Sequence, residues 1–129
     1  MVGDKISNLI IALKNGSMAG KETINVSDTS LYESILKTLE NKKFIDSYES
    51  DKKTNEIKIV IKYDENGKSA ITDVKRVSKL SQRIYKGYKD LFPVKNGYGV
   101  SVISTPQGIV TDDQARKQKI GGEVLFEIW

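Results

Sequence analysis

The sequence predicts an α+β fold, in which an αβαββ lobe over residues 1–66 is followed by a mostly β lobe with one short helix over residues 67–129. Two stretches of the first half place apolar residues at helical spacing, and a third alternates apolar and polar residues as strands do. The second half has several short strand-like runs and no long helical pattern. Glu65, Asn66 and Gly67 favour a turn, which places the boundary between the lobes there.

The first helix is predicted from its cap and its apolar stripe. Asp4 is a good N-cap, and Gly16 can end the helix in a left-handed conformation. The stripe consists of Ile6, Leu9, Ile10 and Leu13. Polar residues 17–22 then form a loop, and residues 23–26 are expected to form a short strand.

The second helix can be capped by Ser27, Asp28 or Ser30, and Ser30 has capping-box spacing to Glu33. Its apolar stripe, which we expect to pack on a sheet, consists of Leu31, Ile35, Leu36 and Leu39.

Two strands joined by a hairpin are expected to follow. The first starts near Phe44 and Ile45, and residues 51–55 form the turn. Residues 56–63 then alternate as a half-buried strand does. The apolar side of that alternation consists of Ile57, Ile59, Ile61 and Tyr63.

The second half is predicted to contain short strands and one capped helix. Residues 70–77, 82–86 and 97–104 are expected to form strands. Thr111 can cap a short helix whose first turn carries Asp112 and Asp113, since acids complement its positive end. The adjacent glycines at 121 and 122 end that helix before a final strand over residues 124–129.

Histidine and cysteine are absent from the 129 residues. The chain therefore lacks the usual general base, thiolate chemistry, disulfides and Cys-based zinc sites. It has no Walker-type loop, dinucleotide fingerprint or nucleophile elbow, so we expect no enzyme, no catalytic residues and no cofactor. Because it also has no signal peptide and no run of about 20 apolar residues, we expect a cytosolic protein with no membrane partner.

The net charge of +4 is unevenly distributed. Residues 1–65 hold 10 Lys/Arg against 11 Asp/Glu, whereas residues 66–129 hold 11 against 6. Seven basic residues and the single acid Asp90 lie in the stretch 75–95. A basic half suggests that one face binds a polyanion. The alternatives are a solvated lysine-rich surface and a module that binds an acidic protein.

Hydroxyl groups and a turn at residues 104–108 form the first candidate site. Ser104 and Thr105 end a predicted strand, where hydroxyls can bind phosphates, ribose or base edges. Pro106, Gln107 and Gly108 form the turn, and the glycine allows the backbone to approach a ligand closely. An ordinary tight turn is an equally good interpretation of the composition.

The segment 121–123 carries a second set of groups suited to RNA. Gly121 and Gly122 allow close approach to a flat ligand, and Glu123 can accept a hydrogen bond from a base amino group. Pairing of Glu123 with Arg116 or Lys119 is the interpretation that spacing favours.

Cations and aromatic rings alternate over residues 83–88. Arg83, Tyr85 and Lys86 suit RNA because a ring can stack on a base while cations hold phosphates. The alternative is that Tyr85 is half-buried on a strand.

Acidic residues near the C-terminus allow one enzymatic alternative. In this alternative, Asp112, Asp113 and Glu123 converge on Mg²⁺, as in a metal-dependent nuclease. Helix capping already explains the two aspartates, so we expect no metal site.

The order of these C-terminal elements resembles the signature of the small-subunit ribosomal protein eight family. That signature combines a Ser-Thr turn, a glycine, a Thr-Asp helix start, an Ala-Arg pair and Gly-Gly-Glu before a final strand with an aromatic end. In this chain they are Ser104-Thr105, Gly108, Val110-Thr111-Asp112, Ala115-Arg116, and Gly121-Gly122-Glu123 through Trp129. Further similarity covers the first helix, the second helix and the central stretch around Arg76 and Arg83.

The resemblance implies a structural constituent of the small ribosomal subunit in the cytoplasm. Such proteins bind the central domain of 16S rRNA, support 30S assembly and catalyse no reaction. They contact small-subunit proteins five and twelve, some repress their own messenger RNA, and we expect a monomer when free. The residues expected to bind RNA are Ser104, Thr105, Gln107, Gly108, Gly121, Gly122, Glu123, Arg83, Tyr85 and Lys86, with Lys14 and Asn15 reaching a second RNA segment.

The chain departs from the family's usual pattern at a few positions. Pro106 stands where the family usually has Ser, which removes or moves one hydroxyl contact. Ile11 and Ala12 stand where a Thr-Arg pair is usual, and the proline that usually follows Asp4 is missing.

Overall fold

The computed structural model describes residues 2–79 and 81–129, with side chains from residue 5 onward. The fold is mixed α+β, as predicted. The chain divides into two compact units. We call Asn8–Thr72 the N-terminal unit, and Asp73–Trp129 together with the residues up to Ser7 the C-terminal unit. The sequence-based division lay between residues 66 and 67.

The first elements follow the predicted αβαββ order. They are α1 (Val2–Met18), β1 (Thr23–Ser27), α2 (Ser30–Asn41), β2 (Ile45–Asp51) and β3 (Glu56–Ile61). The strands form an antiparallel sheet in the order β1-β3-β2. Ile57, Ile59 and Ile61 are buried, so the alternation in β3 does mark its core face.

Helix α1 differs from its prediction at both ends. It begins at Val2, so the expectation that Asp4 caps it is wrong; the Asp4 side chain lies outside the described residues. Gly16 is helical and does not end α1. A Cβ there would come within 2.7 Å of Ile24 and 2.9 Å of Ile61, so this glycine lets the helix approach the strands closely. Gly20 takes the positive φ, at 68°.

The cap of α2 is Thr29, so the expectation of Ser27, Asp28 or Ser30 is wrong. Its side chain accepts a hydrogen bond from the backbone N–H of Tyr32 at 3.2 Å. The predicted apolar stripe is confirmed at Ile35, Leu36 and Leu39, which are fully buried. Tyr32 is buried as well, whereas Leu31 is only half-buried.

The elements from Val74 onward form a second sheet and one helix. They are β4 (Val74–Arg76), β5 (Tyr85–Lys86), two single-turn 3₁₀ helices (Tyr88–Asp90 and Lys95–Gly97), β6 (Val100–Thr105), β7 (Gly108–Thr111), α3 (Asp112–Gln118) and β8 (Gly122–Ile128). The sheet order is β4-β8-β6-β7, and β5 also pairs with β8. Strand β7 was not predicted, and the strands expected over 70–77 and 82–86 are reduced to β4 and β5.

Strands β6 and β8 supply most of the core of the C-terminal unit. Val102, Ile103, Phe126 and Ile128 are fully buried, and Ala115 packs α3 against this layer. Thr111 is the N-cap of α3, as predicted, and in a capping box its backbone N–H donates a hydrogen bond to Gln114 Oε1 at 3.1 Å. None of the described helices has the length and apolarity needed to span a membrane.

Candidate nucleic-acid interface

Strand β8 brings the predicted RNA-binding segments together at its N-terminal end. Glu123 is paired with Tyr85 of β5 on one side and with Ser104 of β6 on the other. Lys86 is paired with Gly122. Residues separated by up to about 40 positions therefore share one end of a sheet, because antiparallel pairing fixes their register.

All the predicted interface residues except Lys14 and Asn15 lie in the C-terminal unit. Those two are exposed on α1 in the N-terminal unit. Their contact with a second RNA segment stays a prediction.

The adjacent glycines let the protein's own strands approach each other. A Cβ on Gly122 would overlap the carbonyl oxygen of Ser104, and one on Gly121 would overlap that of Lys86. Both φ values are ordinary, so the requirement is for space rather than for an unusual backbone conformation. The glycines fix the spacing between β5, β6 and β8.

The two hydroxyls at the end of β6 have different surroundings. Thr105 donates to the carbonyl of Gly108 at 2.8 Å and accepts from the backbone N–H of Gln107 at 3.1 Å, so it closes the turn. No hydrogen bond joins the Ser104 hydroxyl to another described residue, and Ser104 is half-buried. Gln107 is exposed in the turn, and Gly108 has a φ of 118°.

Tyr85 presents its ring to solvent. The residue is 69% exposed, so the alternative of a half-buried strand tyrosine is wrong. Lys86 beside it is exposed too. An exposed ring next to a cation is the arrangement that stacks on an unpaired base and holds its phosphate.

Glu123 pairs with Arg83 rather than with the partners that spacing favoured. Arg83 Nη1 lies 3.2 Å from Glu123 Oε2 and 3.4 Å from Oε1. Arg116 instead donates to Asp112 at 2.7 Å. The expected pairing of Glu123 with Arg116 or Lys119 is therefore wrong. Sequence spacing could not find the pair, because Arg83 precedes β5 and Glu123 lies on β8, 40 positions away.

The carboxylate of Asp112 already accepts hydrogen bonds within the protein, which argues against its use as a Mg²⁺ ligand. Its side chain is 3% exposed, and it accepts hydrogen bonds from the N–H of Ser101 at 3.0 Å and from Arg116. Within the described part of the chain, no three acidic, histidine or cysteine side chains are grouped so that they could hold a metal ion.

Sequence reasoning assigned no role to Ser78, which shapes the segment carrying Arg83. Its buried hydroxyl accepts from the N–H of Ile84 at 2.9 Å and lies 3.3 Å from the Ile84 carbonyl. No local signal distinguishes such a serine, since its partner lies across a loop.

The net positive charge of the protein lies in the C-terminal unit, which carries the candidate interface. By sequence, the C-terminal unit has 11 Lys/Arg against 7 Asp/Glu, and the N-terminal unit has 10 against 10. Hydroxyl, aromatic and cationic groups thus meet at one sheet end in the basic unit.

The family model described as Ribosomal protein S8 matches residues 4–129. The chain belongs to the ribosomal protein S8 family. It is 42% identical to the small ribosomal subunit protein uS8 of Nautilia profundicola, over the full length of both chains. It is 40% identical to the proteins of that name from Campylobacter fetus and Campylobacter lari, again over the full length of each. Proteins of the S8 family are structural and not enzymatic, which agrees with the absence of catalytic equipment predicted from the sequence.

Proposed function

We propose that this S8 family protein binds the central domain of 16S rRNA through its C-terminal unit and thereby supports assembly of the 30S subunit. Its full-length similarity to small ribosomal subunit proteins supports a structural role in the cytoplasmic ribosome. The single observation that carries the RNA-binding part is the row formed by Tyr85, Glu123 and Ser104 on three neighbouring strands.

The chemistry of that row suits an irregular RNA helix. The exposed ring of Tyr85 offers a stacking surface for an unpaired base. The Ser104 hydroxyl, which has no partner among the described residues, can bind a ribose, phosphate or base edge. Glu123 between them is a hydrogen-bond acceptor and disfavours a uniform row of phosphates, so it favours recognition of particular bases.

A binding titration with an rRNA fragment tests this proposal. We expect the wild-type protein to bind a fragment of the 16S central domain more tightly than a regular duplex of equal charge. Tyr85→Ala should weaken binding about tenfold, since stacking on a base contributes about 1–3 kcal/mol. Tyr98→Ala is the matched control, because Tyr98 is 86% exposed in the same unit but lies outside the row. Equal affinity for fragment and duplex would refute the proposal.

The remaining partners are proposed from the family resemblance alone. They are small-subunit proteins five and twelve, and the protein's own messenger RNA. Contacts of Lys14 and Asn15 with a second RNA segment, and a monomeric free state, belong to the same proposal. Co-sedimentation with 30S particles at moderate salt tests the assembly role, and loss of that co-sedimentation at salt concentrations where 30S particles stay intact would contradict it.

A further inference from the structure

A small cleft beside the proposed RNA-binding row is lined by three cationic side chains. Arg76, Lys79 and Arg83 line it together with the carboxylate of Glu123. Ile6, Ser78 and Leu125 complete its wall. Two of the chain's three arginines therefore lie at one place in the C-terminal unit.

Backbone hydrogen bonds join the segment that carries Arg76 to strand β8. Val77 donates to the carbonyl of Leu125 at 3.1 Å, and Ser78 donates to that of Val124 at 3.2 Å. Lys79 and Gln82 then exchange two backbone hydrogen bonds, at 2.9 and 3.1 Å. Because the backbone at residues 74–78 is paired with β8, the backbone position of Arg76 is set before any ligand binds.

The protein orients both arginine side chains and leaves some of their N–H donors available. The Arg76 side chain donates from Nε to the carbonyl of Ser78 at 2.7 Å, and no other hydrogen bond joins that side chain to a described residue. Arg83 contacts Glu123 through Nη1 alone. Each guanidinium thus keeps N–H donors for a ligand, and Lys79 is exposed.

The cationic lining of the cleft favours an anion, and its small size favours binding at the mouth. Its volume of about 10 Å³ leaves no room for a base or a sugar. Arg76, Lys79 and Arg83 all line the cleft, so an oxyanion at its mouth would lie among cationic side chains. The planar fork of arginine matches the oxygens of a phosphate group, and lysine adds a point charge.

We propose that this cleft binds a backbone phosphate of RNA, with Arg76 and Lys79 as direct ligands and Glu123 as the group that orients Arg83. The inference rests on the proposed function, since it assigns a phosphate contact to the same RNA. It adds Arg76 and Lys79 to the interface and gives Glu123 a positioning role.

The salt dependence of rRNA-fragment binding tests the phosphate site. We compare the wild-type protein with Lys79→Gln, Arg76→Gln and Arg76→Lys, and use Lys117→Gln as a control that removes one exposed charge of α3 outside the cleft. Each lost phosphate contact should reduce the slope of log K against log salt by about 0.7–0.9. We expect that reduction for Lys79→Gln and Arg76→Gln, and an unchanged slope for Lys117→Gln. Arg76→Lys should keep the slope and weaken binding about threefold to tenfold, because it keeps the charge but loses the fork.

Unchanged slopes in both glutamine variants would overturn the phosphate site while leaving the proposed function intact. An equal fall for Lys117→Gln would overturn it too, because the effect would then follow total charge. Lys79→Gln changes an exposed side chain, so the test stands even if the Arg76 variants fail to fold. Failure of the wild-type protein to prefer the fragment would instead contradict the proposed function, and the site with it.

Discussion

Gly122 lies so close to the carbonyl group of Ser104 that a Cβ at position 122 would overlap its oxygen. The same Cβ would come within 3.1 Å of the Thr105 side chain. This contact fixes the spacing between β6 and β8 at the end of the sheet where the proposed RNA-binding residues are paired. It makes Gly122 a structural requirement of the site.

Gly122→Ala should therefore destabilise the C-terminal unit. Backbone atoms rather than a flexible side chain must move, so we expect a loss of about 2–3 kcal/mol in the free energy of unfolding. Gly87→Ala is the matched control, because nothing lies within 4 Å of a Cβ there and its φ is −74°. That variant should be neutral or slightly more stable. Urea unfolding followed by circular dichroism measures both, and equal stabilities would show that β6 and β8 can separate at no cost.

Local patterns predicted most elements of this fold but few of its pairings. The alternation in β3 and the Thr111 cap each depend on residues that are adjacent or a few positions apart, and both were predicted. Strand β7 was missed because its four residues follow a turn directly and end at the helix cap Thr111, and four residues are too few to show alternation. Which glycine ends α1 depends on the approach of Ile24 and Ile61, which only the folded chain reveals.

In the candidate site, too, local patterns identified residues but not their pairings. The structure brings several of the predicted residues together at one sheet end, and hydroxyls, rings and cations are visible in the sequence; their binding to RNA stays a prediction. The pair between Arg83 and Glu123 joins residues 40 positions apart and depends on the register of β5 against β8. Register follows from long-range packing, which no local spacing encodes.

Thr105 and Ser104 should separate turn formation from RNA binding. Thr105→Val removes two hydrogen bonds that close the turn, so we expect unfolding to be easier by about 1–2 kcal/mol. Ser104→Ala removes a hydroxyl with no partner among the described residues, so its stability should stay within about 0.5 kcal/mol of the wild type. Its rRNA affinity should fall. Titration and urea unfolding of both variants check this, and a destabilised Ser104→Ala would contradict it.

Asp112 should be a main support of the junction between β6 and α3. Asp112→Ala leaves the buried N–H of Ser101 unsatisfied and removes the partner of Arg116, so we expect a loss of about 3 kcal/mol. Asp112→Asn keeps an acceptor and should lose less. Asp113→Ala, which removes an exposed acid that accepts a hydrogen bond from the Thr111 hydroxyl in the same helical turn, is the comparison and should cost about 1 kcal/mol. Thermal unfolding distinguishes the three, and similar losses at both positions would show that Asp112 acts only as a helix-end charge.

Tyr32 should make the N-terminal unit sensitive to alkali. Burial raises the pKa of the Tyr32 hydroxyl above its usual value of 10.0. The unfolded chain then releases this proton at lower pH than the folded chain does. Its contribution to stability is complete below about pH 10 and is lost as the pH rises through the folded-state pKa. The free energy of unfolding of Tyr32→Phe should fall less steeply than that of the wild type from about pH 9 to about pH 11. Parallel profiles would contradict this.

Glu123 should control the choice of RNA rather than the strength of binding to nucleic acid in general. Its carboxylate repels phosphates and orients Arg83, so Glu123→Gln should raise affinity for a regular duplex about twofold to fivefold while leaving or lowering affinity for the rRNA fragment. The ion pair is partly exposed, so stability should change by less than about 1 kcal/mol. Glu127→Gln makes the same change of charge on the same strand, and it should affect both RNAs alike. Titrations of both RNAs at one salt concentration give the ratio of affinities. If that ratio were the same for Glu123→Gln, Glu127→Gln and the wild type, Glu123 would contribute only charge, and its pairing with Arg83 would have no part in recognition.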